Sequence, residues 1–326
     1  FKGVLAGLGI SPEASWHWGF GAAGVGMTLG VIQYMIGSPR LGETPVERPS
    51  SNPALLWTQF GAAVLAVAAL VWAFWDYRDW MILIVTCVFA SWFVAQTEPG
   101  VERRRAWAVM LLFVFAALFW AGFEQAGSSL NLFGDRFTDN RIFGVSFPSS
   151  FHQSTNSIFL ILLAPVFAGL WMWMSRTGME PSSPAKFALG LIFVGAGFAV
   201  VAIAARISAA GGDALVSPMW LTIVYLLHTI GELLLSPVGL STMTKLAPAR
   251  LAGSIMGVWF MATSVGNFIG GEVAGQFEKF PLPSLFGAVC LTQTHVALRW
   301  FGPTGLLAVG TILLGGGAIW FSRSNH

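Results

Sequence analysis

The chain has 326 residues, 55% of them hydrophobic and only 10% charged, with a formal net charge of +2. A soluble domain carries about 25% charged residues and a nucleic-acid-binding one shows a basic patch, and neither description fits. The two cysteines, Cys87 and Cys290, exclude a disulfide framework and a CxxC metal site.

Apolar runs long enough to cross a bilayer as helices alternate with short polar connections. The predicted spans are 16–38, 54–75, 80–96, 103–130, 154–176, 184–207, 217–247, 251–277 and 299–321. They are too continuous for barrel strands of alternating polarity, so the expected fold is an all-α, polytopic helical bundle.

The first span is glycine-rich (GFGAAGVGMTLG), and small residues of this kind let helices approach closely in lipid. Residues 38–53, SPRLGETPVERPSSNP, break the helical period and mark a linker. Residues 54–97 read as a helical hairpin turning at 76–79. The triplet Arg103-Arg104-Arg105 sets the start of the next span in the cytoplasm by the positive-inside rule. Alternation from there puts the linker, Arg176, Lys186, Lys245, Arg250 and the C-terminus on that side. The two longest polar connections, 134–150 and 278–299, fall on the other side, with Cys290 in the second.

Only two acids lie well inside apolar runs, Glu124 in LFWAGFEQAGSSLNLF and Glu232 in HTIGELLLSPVGLSTMTKL. A carboxylate at that depth costs about 2.5–3.5 kcal/mol on insertion scales, so each faces protein or water and marks a functional site. Trp120 precedes Glu124 by four residues and Ser128 follows by four, which places all three on one helix face. Glu232 is followed one turn later by Ser236 and then by Pro237 and Gly239, a combination that bends helices where they line cavities. Such an acid carries protons when desolvation raises its pKa and an approaching cation lowers it again.

Trp120 and Trp259 offer apolar walls with one donor each, and Asn156 and Asn267 offer the donor and acceptor that a peptide amide needs. Plain packing is the competing role for all four. His228, four residues before Glu232, is a possible proton partner. The remaining histidines are scattered, HExxH and GxSxG are absent, and neither a metal site nor a cofactor is expected. An enzyme is therefore not expected.

The stretches WHWGFGAAGVGM, FWAGFEQAGSSLNLF, LLAPVFAGLW and above all GELLLSPVGLSTMTKLAPARLAGSIMGVWF resemble the proton-dependent oligopeptide transporter family of the major facilitator superfamily. The resemblance covers essentially the whole chain. It implies that residues 1–38 are the last helix of an N-terminal bundle, 39–53 a cytoplasmic linker, 54–97 a two-helix inter-domain hairpin and 98–326 the C-terminal six-helix bundle. The chain, opening on Phe1, would then be a fragment whose partner is the missing N-terminal six-helix bundle, with its ExxER signature and its basic residues for a peptide carboxylate.

The resemblance further implies proton-coupled symport of di- and tripeptides by alternating access in a bacterial inner membrane, with the lipid bilayer as surroundings and the proton as coupling ion. Glu232 aligns with the acid that binds the peptide amino group and Ser236 with the serine one turn on. Glu124 resembles the acid of proton coupling, a role Glu232 shares. Trp120, Trp259, Asn156 and Asn267 resemble substrate-contacting residues. Transport of nitrate or another small solute is the alternative within the family, although Glu232 repels an anion; a non-transporting receptor is the alternative outside it.

Overall fold

The computed structural model describes residues 14–37, 53–73, 75–142 and 144–301. Contacts divide the chain into two units, Phe1–Trp75 and Asp76–His326. The first contains α1 (Ala14–Gly37) and α2 (Pro53–Ala73), both without a charged residue. Pro53 opens α2, where its missing N–H costs nothing. The division falls inside the expected hairpin, so its second helix, α3 (Arg78–Ala95), packs with the second unit.

After α3 come α4 (Val101–Phe123), a 3-10 turn (Glu124–Gly127) and α5 (Ser129–Arg136), which together make one interrupted span. A small antiparallel hairpin follows, β1 (Arg141–Ile142) with β2 (Val145–Ser146), its turn supplied by Gly144 at φ +80°. Then come α6 (Phe151–Arg176), α7 (Ser183–Ala210), α8 (Met219–Leu246), α9 (Ala252–Ala274) and α10 (Leu282–Phe301). Among the described residues, four segments are long and apolar enough to cross a membrane: Val101–Arg136, Phe151–Arg176, Ser183–Ala210 and Met219–Leu246.

The core is built on α7, which packs against α8, α10 and α4. Phe187, Leu191, Val194, Phe198 and Val201 along it are fully buried, as expected of a helix that is apolar all round. Its start is fixed by Ser182, whose hydroxyl accepts from the Ala185 amide at 3.4 Å.

Between α9 and α4 the two backbones come close together. A methyl added to Gly266 would lie 2.5 Å from Trp120 Cβ and 2.7 Å from the Ala117 carbonyl oxygen, and one on Gly270 would lie 2.9 Å from the Ala121 carbonyl oxygen. These glycines, four apart, form the small-xxx-small seam by which helices associate in lipid. Gly266→Ala is expected to cost about 1–3 kcal/mol through overpacking and to lower the melting temperature of the purified protein. Gly271→Ala, with nothing within 4 Å of the new methyl, should melt as the unmodified chain does.

One expectation is corrected. Residues 282–301, read as part of a polar outer connection, form α10, and Cys290 lies in that helix. The polar run Thr292-Gln293-Thr294 is absorbed locally. The two threonine hydroxyls donate to the Ala288 and Cys290 carbonyls four residues back, at 2.9 and 2.8 Å. Gln293, 3% exposed, donates to the Leu118 carbonyl of α4 at 2.6 Å. Most of the predicted span 299–321 lies outside the described residues, as does the predicted linker up to residue 52.

Candidate functional site

The interruption after α4 is where the chain departs from regular helix, and Glu124 stands at its first residue. Gln125 stabilises the break from inside: 1% exposed, it donates to the Ala121 carbonyl at 3.0 Å and accepts from the Ser129 hydroxyl at 2.7 Å. Tyr225 of α8 donates its phenol to the Ala126 carbonyl at 3.3 Å, tying the turn to the helix that carries the second acid. Irregular backbone at membrane depth requires such partners. Glu124 is half-buried, its backbone N–H donates to the Trp120 carbonyl, and its carboxylate has no ion pair with a described residue.

Glu232, also half-buried, sits on α8 and is met from α6 by Asn156, whose amide donates to Oε2 at 3.4 Å. The Asn156 carbonyl oxygen accepts from Thr229, one turn before Glu232. The Thr229 hydroxyl also lies 2.7 Å from the Tyr225 carbonyl oxygen, so its proton has two acceptors. Asn156, Thr229 and Glu232 thus form one polar string across α6 and α8. No described Lys or Arg pairs with either carboxylate.

Ser236, one turn beyond Glu232, has its hydroxyl buried without a partner among the described residues. The Trp120 indole nitrogen is likewise buried and unpartnered there, with the ring edge-on to Phe119 and Phe123. Both are spare polar groups beside the acids. Trp259 differs: it is 7% exposed and packed into the slot left by Gly239, where an added methyl would lie 2.5 Å from its ring. It belongs to the core between α8 and α9 rather than offering a free wall. Asn267 is exposed on α9. His228 is 1% exposed, closed in by the rings of Phe123 and Phe198.

The string therefore joins Glu232 with Asn156 and leaves Trp259 behind in the packing. Sequence reasoning missed Thr229, Tyr225 and Gln125. Their signal was their position, within one or two turns of an acid on the same or a facing helix.

A model of the POT family matches residues 6–289. Peptide transporter YePEPT of Yersinia enterocolitica is 35% identical over 319 residues, covering 88% of this chain and 62% of the relative. The di-/tripeptide transporter of Lactococcus lactis subsp. lactis is 28% identical over 330 residues, covering 94% and 62%. The chain thus spans 62% of the length of each. A crystal structure of a peptide transporter POT in complex with sulfate superposes with a TM-score of 0.68 at 32% identity, covering 91% of this chain and 62% of that one. A POT family transporter in complex with 5-aminolevulinic acid superposes at 0.67 with 25% identity, covering 89% and 63%.

Proposed function

This chain belongs to the POT family, and from that membership and the geometry above we propose that it supplies the C-terminal part of a proton-coupled symporter of di- and tripeptides working by alternating access. The observation that carries the proposal is a pair of carboxylates at membrane depth, neither paired with a cation among the described residues. Asn156 and Thr229 orient Glu232 without cancelling its charge, so a proton or a cargo ammonium must do so.

In this reading Glu232 binds the peptide amino group, Asn156 and Ser236 take amide or hydroxyl hydrogen bonds, and Trp120 and Asn267 complete the lining. Trp259 supports the wall from behind through Gly239. Glu124 exchanges the coupling proton, and Glu232 shares that role whenever no cargo amine occupies it. An N-terminal bundle of the complete transporter supplies the facing wall and the cations for the peptide carboxylate. The protein sits in a bacterial cytoplasmic membrane with the C-terminus of this chain in the cytoplasm.

The test is uptake by the complete transporter in proteoliposomes. An inward acid gradient should drive accumulation of a labelled dipeptide, a protonophore should abolish accumulation, and excess nitrate should not compete. Accumulation indifferent to the gradient, or competition by nitrate, contradicts the proposal.

A further inference from the structure

A cavity of about 350 Å³ lies between α6, α7 and α8. It is separate from the carboxylate site. At about 100° per residue, Ser241 lies nine residues and about 180° around α8 from Glu232, with Pro237 and Lys245 within about 40° of the same direction. These three line the cavity, so it is on the face of α8 turned away from Glu232.

The cleft is graded along its length. Ala164, Phe167, Leu233 and Val238 line one end, and Glu180, Lys186, Ser241, Thr242 and Lys245 the other. Leu233 to Lys245 is about 18 Å along the axis, close to the depth of one leaflet. The apolar end lies toward mid-membrane and the charged end at the helix termini.

Lys186 is 5% exposed, with its ammonium 2.6 Å from Glu180 Oε1 and 4.2 Å from the centre of the Trp171 ring. The bond from Lys186 holds the Glu180 carboxyl below the usual carboxylate range, and Lys245 pulls in the same direction from farther away. Lys245 is exposed and has no ion pair with a described residue. The N-terminus of α7 adds partial positive charge where Ser183 joins the lining. Two ammoniums and a helix N-terminus thus face one carboxylate.

We propose that this cleft binds an anionic phospholipid, its phosphate between Lys245 and Lys186 and an acyl chain along Phe167, Leu233 and Val238, with Glu180 competing for Lys186. Basic pockets at the ends of membrane helices recognise headgroups by this chemistry. A free phosphate shares it but leaves the apolar end unused.

Thermal melting of the complete transporter in detergent tests this with phosphatidylglycerol, phosphatidylcholine and inorganic phosphate. Phosphatidylglycerol is expected to raise the melting temperature by several degrees and the other two to leave it unchanged. Lys245→Gln should at least halve that shift and Glu180→Gln should enlarge it. Lys186→Gln removes a buried charge and destabilises by itself, so the Lys245 variant decides. Equal shifts with both lipids, or a full shift in Lys245→Gln, would overturn the site. An equal shift with inorganic phosphate would assign an anion site and overturn the lipid.

Discussion

Glu232→Gln in the complete transporter is expected to weaken binding of peptides with a free amino terminus by about tenfold to a hundredfold. The loss is that of a hydrogen bond to a charged group, about 1.5–3 kcal/mol. Glutamine keeps an oxygen to accept from Asn156, so the string across α6 and α8 survives and the change is confined to charge. N-acetylated peptides, which bring no ammonium, should bind the variant and the unmodified protein alike. Competition binding with matched free and acetylated dipeptides reads both arms. Unaltered affinity for the free-amino peptide would reject the role given to Glu232.

Glu124→Gln should separate movement from its energy source. A gradient of one pH unit supplies about 1.4 kcal/mol per proton, or roughly tenfold accumulation. Without an exchangeable proton at the 3-10 turn, the inside-to-outside ratio should fall to about one. Counterflow exchange of labelled for unlabelled peptide needs no net proton and should persist. The fold should tolerate the change, because Gln125, Ser129 and Tyr225 hold the turn and none of them bonds to Glu124. Accumulation at the unmodified level would remove Glu124 from coupling.

Much of this was legible in the residues. The helices α1 to α4 and α6 to α9 follow from apolar runs, and the two acids declared themselves by the cost of their position, whereas the break at Glu124–Gly127 and the polar α5 beyond it were not expected of the continuous span 103–130. What stayed hidden had a common cause, polarity satisfied out of sight. In α10 the threonine and glutamine side chains bond to carbonyls of α10 and α4, so a helix presented the composition of a loop. Trp259 presented the composition of a ligand wall, yet Gly239 makes room for it in the core. A tryptophan's surroundings depend on what the facing helix omits, and spacing within its own helix carries no record of that. Thr229 is similar: its use depends on Asn156, seventy-three residues away in sequence.

The contact between α7 and α8 has a mechanical consequence. A methyl on Gly231 would lie 2.9 Å from the Gly190 carbonyl oxygen, and one on Gly190 would lie 3.1 Å from the Gly231 carbonyl oxygen, so the two backbones touch immediately beside Glu232. Six residues further on, Pro237 removes an internal tie from α8. The rod is thus clamped at one point and weakened just below it. Flexure imposed on the Lys245 end of α8 is absorbed at that weak joint, and the acid keeps its station while the segment beyond Pro237 swings.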